Sequence, residues 1–132
     1  MNRRSAALVA ILLALPFILP NGCARRFSVP AGVAFVYETR PNPPRIGQNR
    51  FIVRLSSSSG QPLPGAHISI EADMTHPGMN PVMGELRESA PGRYEGEIEM
   101  NMRGDWAVLF HIRLANGSQF DRQIQLANLQ AA

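Results

Sequence analysis

Between Arg50 and Leu126 apolar and polar residues alternate with a period of two, in runs too short for a helix to use. Successive side chains of an extended strand point to opposite faces, so each such run has one apolar side and one wet side. In Arg50 to Leu55, Phe51, Val53 and Leu55 share a face. His67 to Met74 sets Ile68, Ile70, Ala72 and Met74 against His67, Ser69, Glu71 and Asp73. In Arg93 to Met100, Tyr94, Ile98 and Met100 oppose Arg93, Glu95, Glu97 and Glu99. Trp106, Val108, Phe110, Ile112 and Leu114 line one side of the most apolar run, and Phe120, Ile124 and Leu126 one side of the last.

The gaps between runs carry turn chemistry. Arg40-Pro41-Asn42-Pro43-Pro44 excludes a helix and ends the run Val33 to Tyr37. Ser56 to Gly60, Gln61 to Gly65, Ala90-Pro91-Gly92 and Gly104-Asp105 punctuate the middle, and Asn116-Gly117 is a two-residue hairpin signal. With a short run at Glu85 to Glu88, the chain reads as about seven strands and no amphipathic helix. The expected fold is all-β: an Ig-like antiparallel β-sandwich in one domain over residues 25–132.

Residues 1–24 read as a signal peptide. Met1 to Arg4 is a short basic region, and Ala6 to Leu19 carries no charge. That is short of the ~20 apolar residues a spanning helix needs and suits a secretory core. Gly22-Cys23-Ala24 then puts small residues at a cleavage site before Arg25. Two readings of Cys23 stand side by side: loss with the signal, or lipidation that ties the protein to a membrane, with Pro20 and Asn21 departing from the usual lipid-attachment pattern. A third reading keeps the segment as an uncleaved short anchor; in all three the expected location is periplasmic or extracytoplasmic, and membrane attachment follows only from a lipidated Cys23 or a retained N-terminal segment.

Charge sharpens the same point. The chain has 13 basic residues, all arginine, against 10 acids, and a pI near 10.0. Removing residues 1–24 takes Arg3 and Arg4 away, and the remaining arginines alternate with acids in no patch or stripe, so no nucleic-acid partner is expected. Glu95, Glu97 and Glu99 read as a solvated face balanced by Arg93 and Arg103. No serine lies in a nucleophile elbow and the single Cys is in the signal region, so no enzyme is expected.

The chemically distinctive stretch is Met74-Thr75-His76-Pro77-Gly78-Met79-Asn80-Pro81-Val82-Met83. Thioether sulfur is a soft ligand suited to Cu(I), and imidazole suits copper too. Met79, Met83 and His76, with Met74 as a further candidate, can form a three-coordinate Cu(I) site. The same residues also read as a packed loop: Met74 has core parity, methionine fills gaps, and the prolines and glycine are ordinary turn residues. His67 and His111 have outward parity and read as solvated or partner-facing, with His67 able to approach the loop.

The order of these features resembles the YtkA-like domain family, exported or membrane-anchored β-sandwich domains related in pattern to the FixH proteins. The resemblance rests on Pro44 to Phe51, Gly60 to Ala66, the Met74 to Met83 loop, Pro91-Gly92-Arg93-Tyr94 and Gly104-Asp105-Trp106. It implies an exported, non-enzymatic domain, sometimes linked to metal transport or to assembly of copper oxidases, with an envelope or metal-transport protein as partner. The competing class is a structural or adaptor domain with no metal site.

Overall fold

A computed structural model describes residues 29–131. The expected signal peptide, Cys23 included, lies outside them. Seven strands follow in order: β1 (Val33–Arg40), β2 (Gly47–Ser57), β3 (His67–Met74), β4 (Val82–Ala90), β5 (Arg93–Met100), β6 (Gly104–Arg113) and β7 (Gln119–Leu129). All pairings are antiparallel, and the order across the sheet is β1-β2-β5-β4-β3-β6-β7.

The all-β class and the seven strands agree with the sequence reading, but the Ig-like arrangement of two separate sheets is corrected. The strands form one strongly curled sheet, a half-barrel. The corner is β4, which pairs with β3 from Ala72↔Val82 to Ile68↔Leu86 and then with β5 from Arg87↔Glu95 to Ala90↔Arg93. In a flat sheet, the five strand spacings from β1 to β6 would span about 24 Å. Instead Phe35 on β1 meets Phe110 on β6 edge-on, with ring centroids 5.4 Å apart, and Phe51 on β2 reaches the same ring at 6.1 Å. The two ends of the sheet therefore face each other, and the concave side is the core. Missing side chains let the corner close: a Cβ on Gly96 would strike the Glu85 carbonyl and come within 2.9 Å of Leu86, and one on Gly84 would strike Ile98.

Every alternation named above has the expected parity. Phe51, Val53, Ile68, Ile70, Tyr94, Val108 and Phe110 are all fully buried, and Trp106 is nearly so. The hairpin forms where expected but with a three-residue loop, Ala115-Asn116-Gly117, in place of a two-residue turn: Leu114 N–H donates to the Ser118 carbonyl at 2.8 Å, and of Asn116 and Gly117 only the glycine takes a positive φ. Asn49, the one fully buried polar side chain among the described residues, holds the β1–β2 loop: its amide donates to the Arg45 and Gly47 carbonyls and its oxygen accepts from Arg45 N–H at 2.9 Å.

Tyr94 ties β5 to the segment before β3. Its hydroxyl donates to the Leu63 carbonyl at 2.7 Å and accepts from Ala66 N–H at 3.0 Å. Burial pushes the phenol pKa above its ordinary 10.0; the Ala66 amide pulls the other way and the Glu88 carboxylate adds to the rise. A raised folded-state pKa means the folded chain holds this proton more tightly than the unfolded one. Its contribution is intact below about pH 10 and is lost as pH rises through the folded value. Tyr94→Phe should cost about 1–3 kcal/mol at neutral pH, because Ala66 N–H loses its acceptor, and should remove part of the alkaline loss of stability. Urea midpoints at pH 8 and above pH 10 for both proteins check this; an unchanged alkaline slope would contradict it.

Candidate functional site

The loop between β3 and β4 leaves the sheet beside the turn between β5 and β6. The β3–β6 register runs from His67↔Arg113 to Met74↔Trp106, and Thr75 N–H continues it by donating to the Asp105 carbonyl at 3.2 Å. At this end the Met74 methyl carbon and the His76 ring carbon Cε1 both rest against Gly104, 3.3 and 3.7 Å from where a Cβ would stand. Met74 is buried, while His76 and Met79 are exposed on the loop. The turn opposite is fixed by the Trp106 indole, whose Nε1–H donates to the Met102 carbonyl at 3.1 Å.

Met83 lies apart from this group. It belongs to β4, opposite Glu71, and is 60 % exposed. Since Ala72 and its partner Val82 face the core, Met83 projects from the convex face while Met74 projects into the concave one. Of the four candidate ligands, the structure gathers Met74 and His76, carries Met79 on the same loop, and separates Met83 from Met74 by the thickness of the sheet.

The root of the loop holds an unbalanced group. Asp73 Oδ1 is closed off from solvent without a hydrogen-bond partner. A carboxylate oxygen in that condition is costly, and a cation nearby relieves it. Among the described residues no three His, Cys, Asp or Glu side chains are placed to hold one metal ion. Met74, His76 and Met79 supply the donor chemistry that Cu(I) takes.

The convex face carries an arrangement that strand parity alone could not reveal. His111 Nδ1 lies 2.8 Å from Asp121 Oδ1 and its Nε2 lies 3.3 Å from Glu71 Oε2, so one imidazole links β3, β6 and β7. The two carboxylates sit on opposite nitrogens, which orients the ring but gives the pair no common ion. Beside it a shallow depression of about 270 Å³ is lined by His67, Ser69, His111, Arg113, Gln119 and Asp121. His67 begins β3 and faces Glu85 at 4.0 Å. The loop leaves the other end of that strand, about 24 Å away at strand rise, so His67 does not approach it. Arg93 pairs with Glu95 at 3.2 Å along the same strand β5, not across strands, and the cross-strand partner of Glu97 is Arg50 of β2 at 2.8 Å in place of Arg103.

A half-barrel of this size, filled by its own side chains and carrying its soft donors on a connecting loop, is a small β module whose distinctive chemistry lies at its rim. The chain belongs to the YtkA-like family, whose profile matches residues 30–111, from ahead of β1 into β6. In structure it is similar to the soluble domain of PmoD from Methylocystis sp. ATCC 49242 (Rockwell), at 10 % identity and a TM-score of 0.49, over 78 % of this chain and 96 % of that one. No curated protein sequence matches it.

Proposed function

We propose that the protein is an exported, non-enzymatic binding module that holds Cu(I) in the bacterial envelope through its Met/His loop and passes it to an envelope or metal-transport partner. The observation that carries this reading is the meeting of Met74 and His76 against Gly104. Thioether and imidazole donors retain Cu(I) where thiols would be oxidised. Export is supported by the character of residues 1–24. Membrane attachment through Cys23 is tested by fractionating cells that produce the full chain and Cys23→Ser: release of the variant alone from the membrane fraction supports lipidation, and identical partitioning excludes it.

The copper reading is tested by competition. The purified full chain should withdraw about one equivalent of Cu(I) from a chromophoric chelator, and His76→Ala should weaken that withdrawal. No withdrawal by the unaltered chain overturns the reading. An adaptor role without metal has its own support in the edge strand β1, where Val36 and Tyr37 are 57 % and 39 % exposed. Exposed apolar residues on an unpaired edge suit strand addition by a partner. That reading requires His76→Ala to leave partner capture unchanged and Val36→Glu to abolish it.

A further inference from the structure

Met102 lies on the β5–β6 turn, 41 % exposed and two residues before Gly104. The antiparallel register of β3 and β6 and the Thr75–Asp105 bond run the loop and the turn past each other. Each residue further along the loop then meets one earlier in the turn. This course puts His76 beside Gly104, as the packing of its ring shows, and Met102 lies two residues before Gly104 on the same turn. The Met102 backbone is anchored through its carbonyl to the indole of Trp106, a side chain only 2 % exposed. The thioether therefore projects from a rigid support, the condition for a preorganised ligand. Met83, by contrast, projects from the convex face of β4.

We propose that Met102, in place of Met83, completes the Cu(I) site with His76 and Met79, and that Met74 forms its apolar floor. This assignment rests on the copper reading above. The site is then shared between two connections, the β3–β4 loop and the β5–β6 turn, and the β3–β6 register holds its halves in place. Two donors come from the loop and one from a turn whose Met102 carbonyl is held by the buried Trp106 indole. Loss of Met102 therefore removes the donor with the most fixed backbone.

The test offers Cu(I) to the purified full chain, anaerobically, in competition with bicinchoninate, and repeats it with Met102→Ile and Met83→Ile. Both residues are exposed, so both variants should keep the far-ultraviolet circular dichroism of the parent. Perturbing even an outer-shell partner of a metal costs about 10- to 100-fold in affinity. Met102→Ile should accordingly weaken Cu(I) binding by about tenfold or more, while Met83→Ile stays within about twofold. If the parent binds and Met102→Ile binds equally well, the assignment of Met102 is overturned and the copper reading stands. A loss in Met83→Ile equal to that in Met102→Ile also overturns it. If the parent fails to take Cu(I) from the chelator, the copper reading itself falls and this site with it.

Discussion

Trp106→Ala is expected to destabilise the protein by about 3–5 kcal/mol, the range for removing a large aromatic side chain from a packed core. Trp106 is the largest of the buried side chains, on the first turn-proximal stretch of β6, opposite Met74 on β3 and Leu126 on β7. Three strands therefore border the cavity it would leave, and paired backbones hold them too firmly to collapse into it. A domain of this size has about 5–15 kcal/mol in total, so the variant should sit near the edge of folding. Trp106→Phe separates the two roles of the residue. It keeps most of the apolar area but removes the Nε1–H bond to the Met102 carbonyl, so it should cost less in stability and still loosen the β5–β6 turn. Urea unfolding at neutral pH measures both, and a loss under about 1 kcal/mol for Trp106→Ala would contradict the packing described.

Gly92→Ala should cost about 2–5 kcal/mol, from backbone strain and overpacking together. Gly92 has φ +72, a region that side chains rarely tolerate. An added Cβ would stand 2.7 Å from the Leu55 carbonyl oxygen, 2.8 Å from Pro62 Cβ and 2.9 Å from the Leu63 nitrogen. Two of these neighbours are backbone and cannot swing aside. The same turn joins three elements, since the Gly92 carbonyl accepts from Leu55 N–H at 2.9 Å and its N–H donates to Glu88 Oε1 at 3.0 Å. Gly117→Ala is the control: its φ is +86 but nothing lies within 4 Å of the added atom. It should cost only about 1–2 kcal/mol, the conformational part alone. Equal losses in the two variants would show that the contacts around Gly92 do not matter.

Much of this architecture can be read from one sequence because burial alternates along each strand. Ile68, Ile70, Ala72 and Met74 declare a half-buried strand whatever lies beside them, and Asn116-Gly117 declares its hairpin. The joining of the strands into one sheet is different in kind. It depends on β4 changing partner and on Gly84 and Gly96 allowing close approach at that corner, and neither leaves a periodic trace. For the same reason the start of β4 at Val82 is hidden. Pro81-Val82-Met83-Gly84 has turn composition and becomes strand only through pairing with β3. Sequence proximity therefore groups Met83 with His76 and Met79, whereas the sheet sends it to the other face. Gly104, two residues past Met102, comes back to the loop through the β3–β6 register, which no local pattern encodes. The Glu71–His111–Asp121 link is likewise a product of register across three strands.

In the function proposed here the loop and the facing turn bind Cu(I) through sulfur and imidazole. X-ray absorption at the copper edge, recorded on the full chain loaded with one equivalent of Cu(I), tests it most directly. The expected spectrum has the edge of three-coordinate Cu(I), with two sulfur scatterers from Met79 and Met102 and one imidazole nitrogen from His76. A first shell of nitrogen and oxygen alone, or copper removed by a desalting column before measurement, would contradict it.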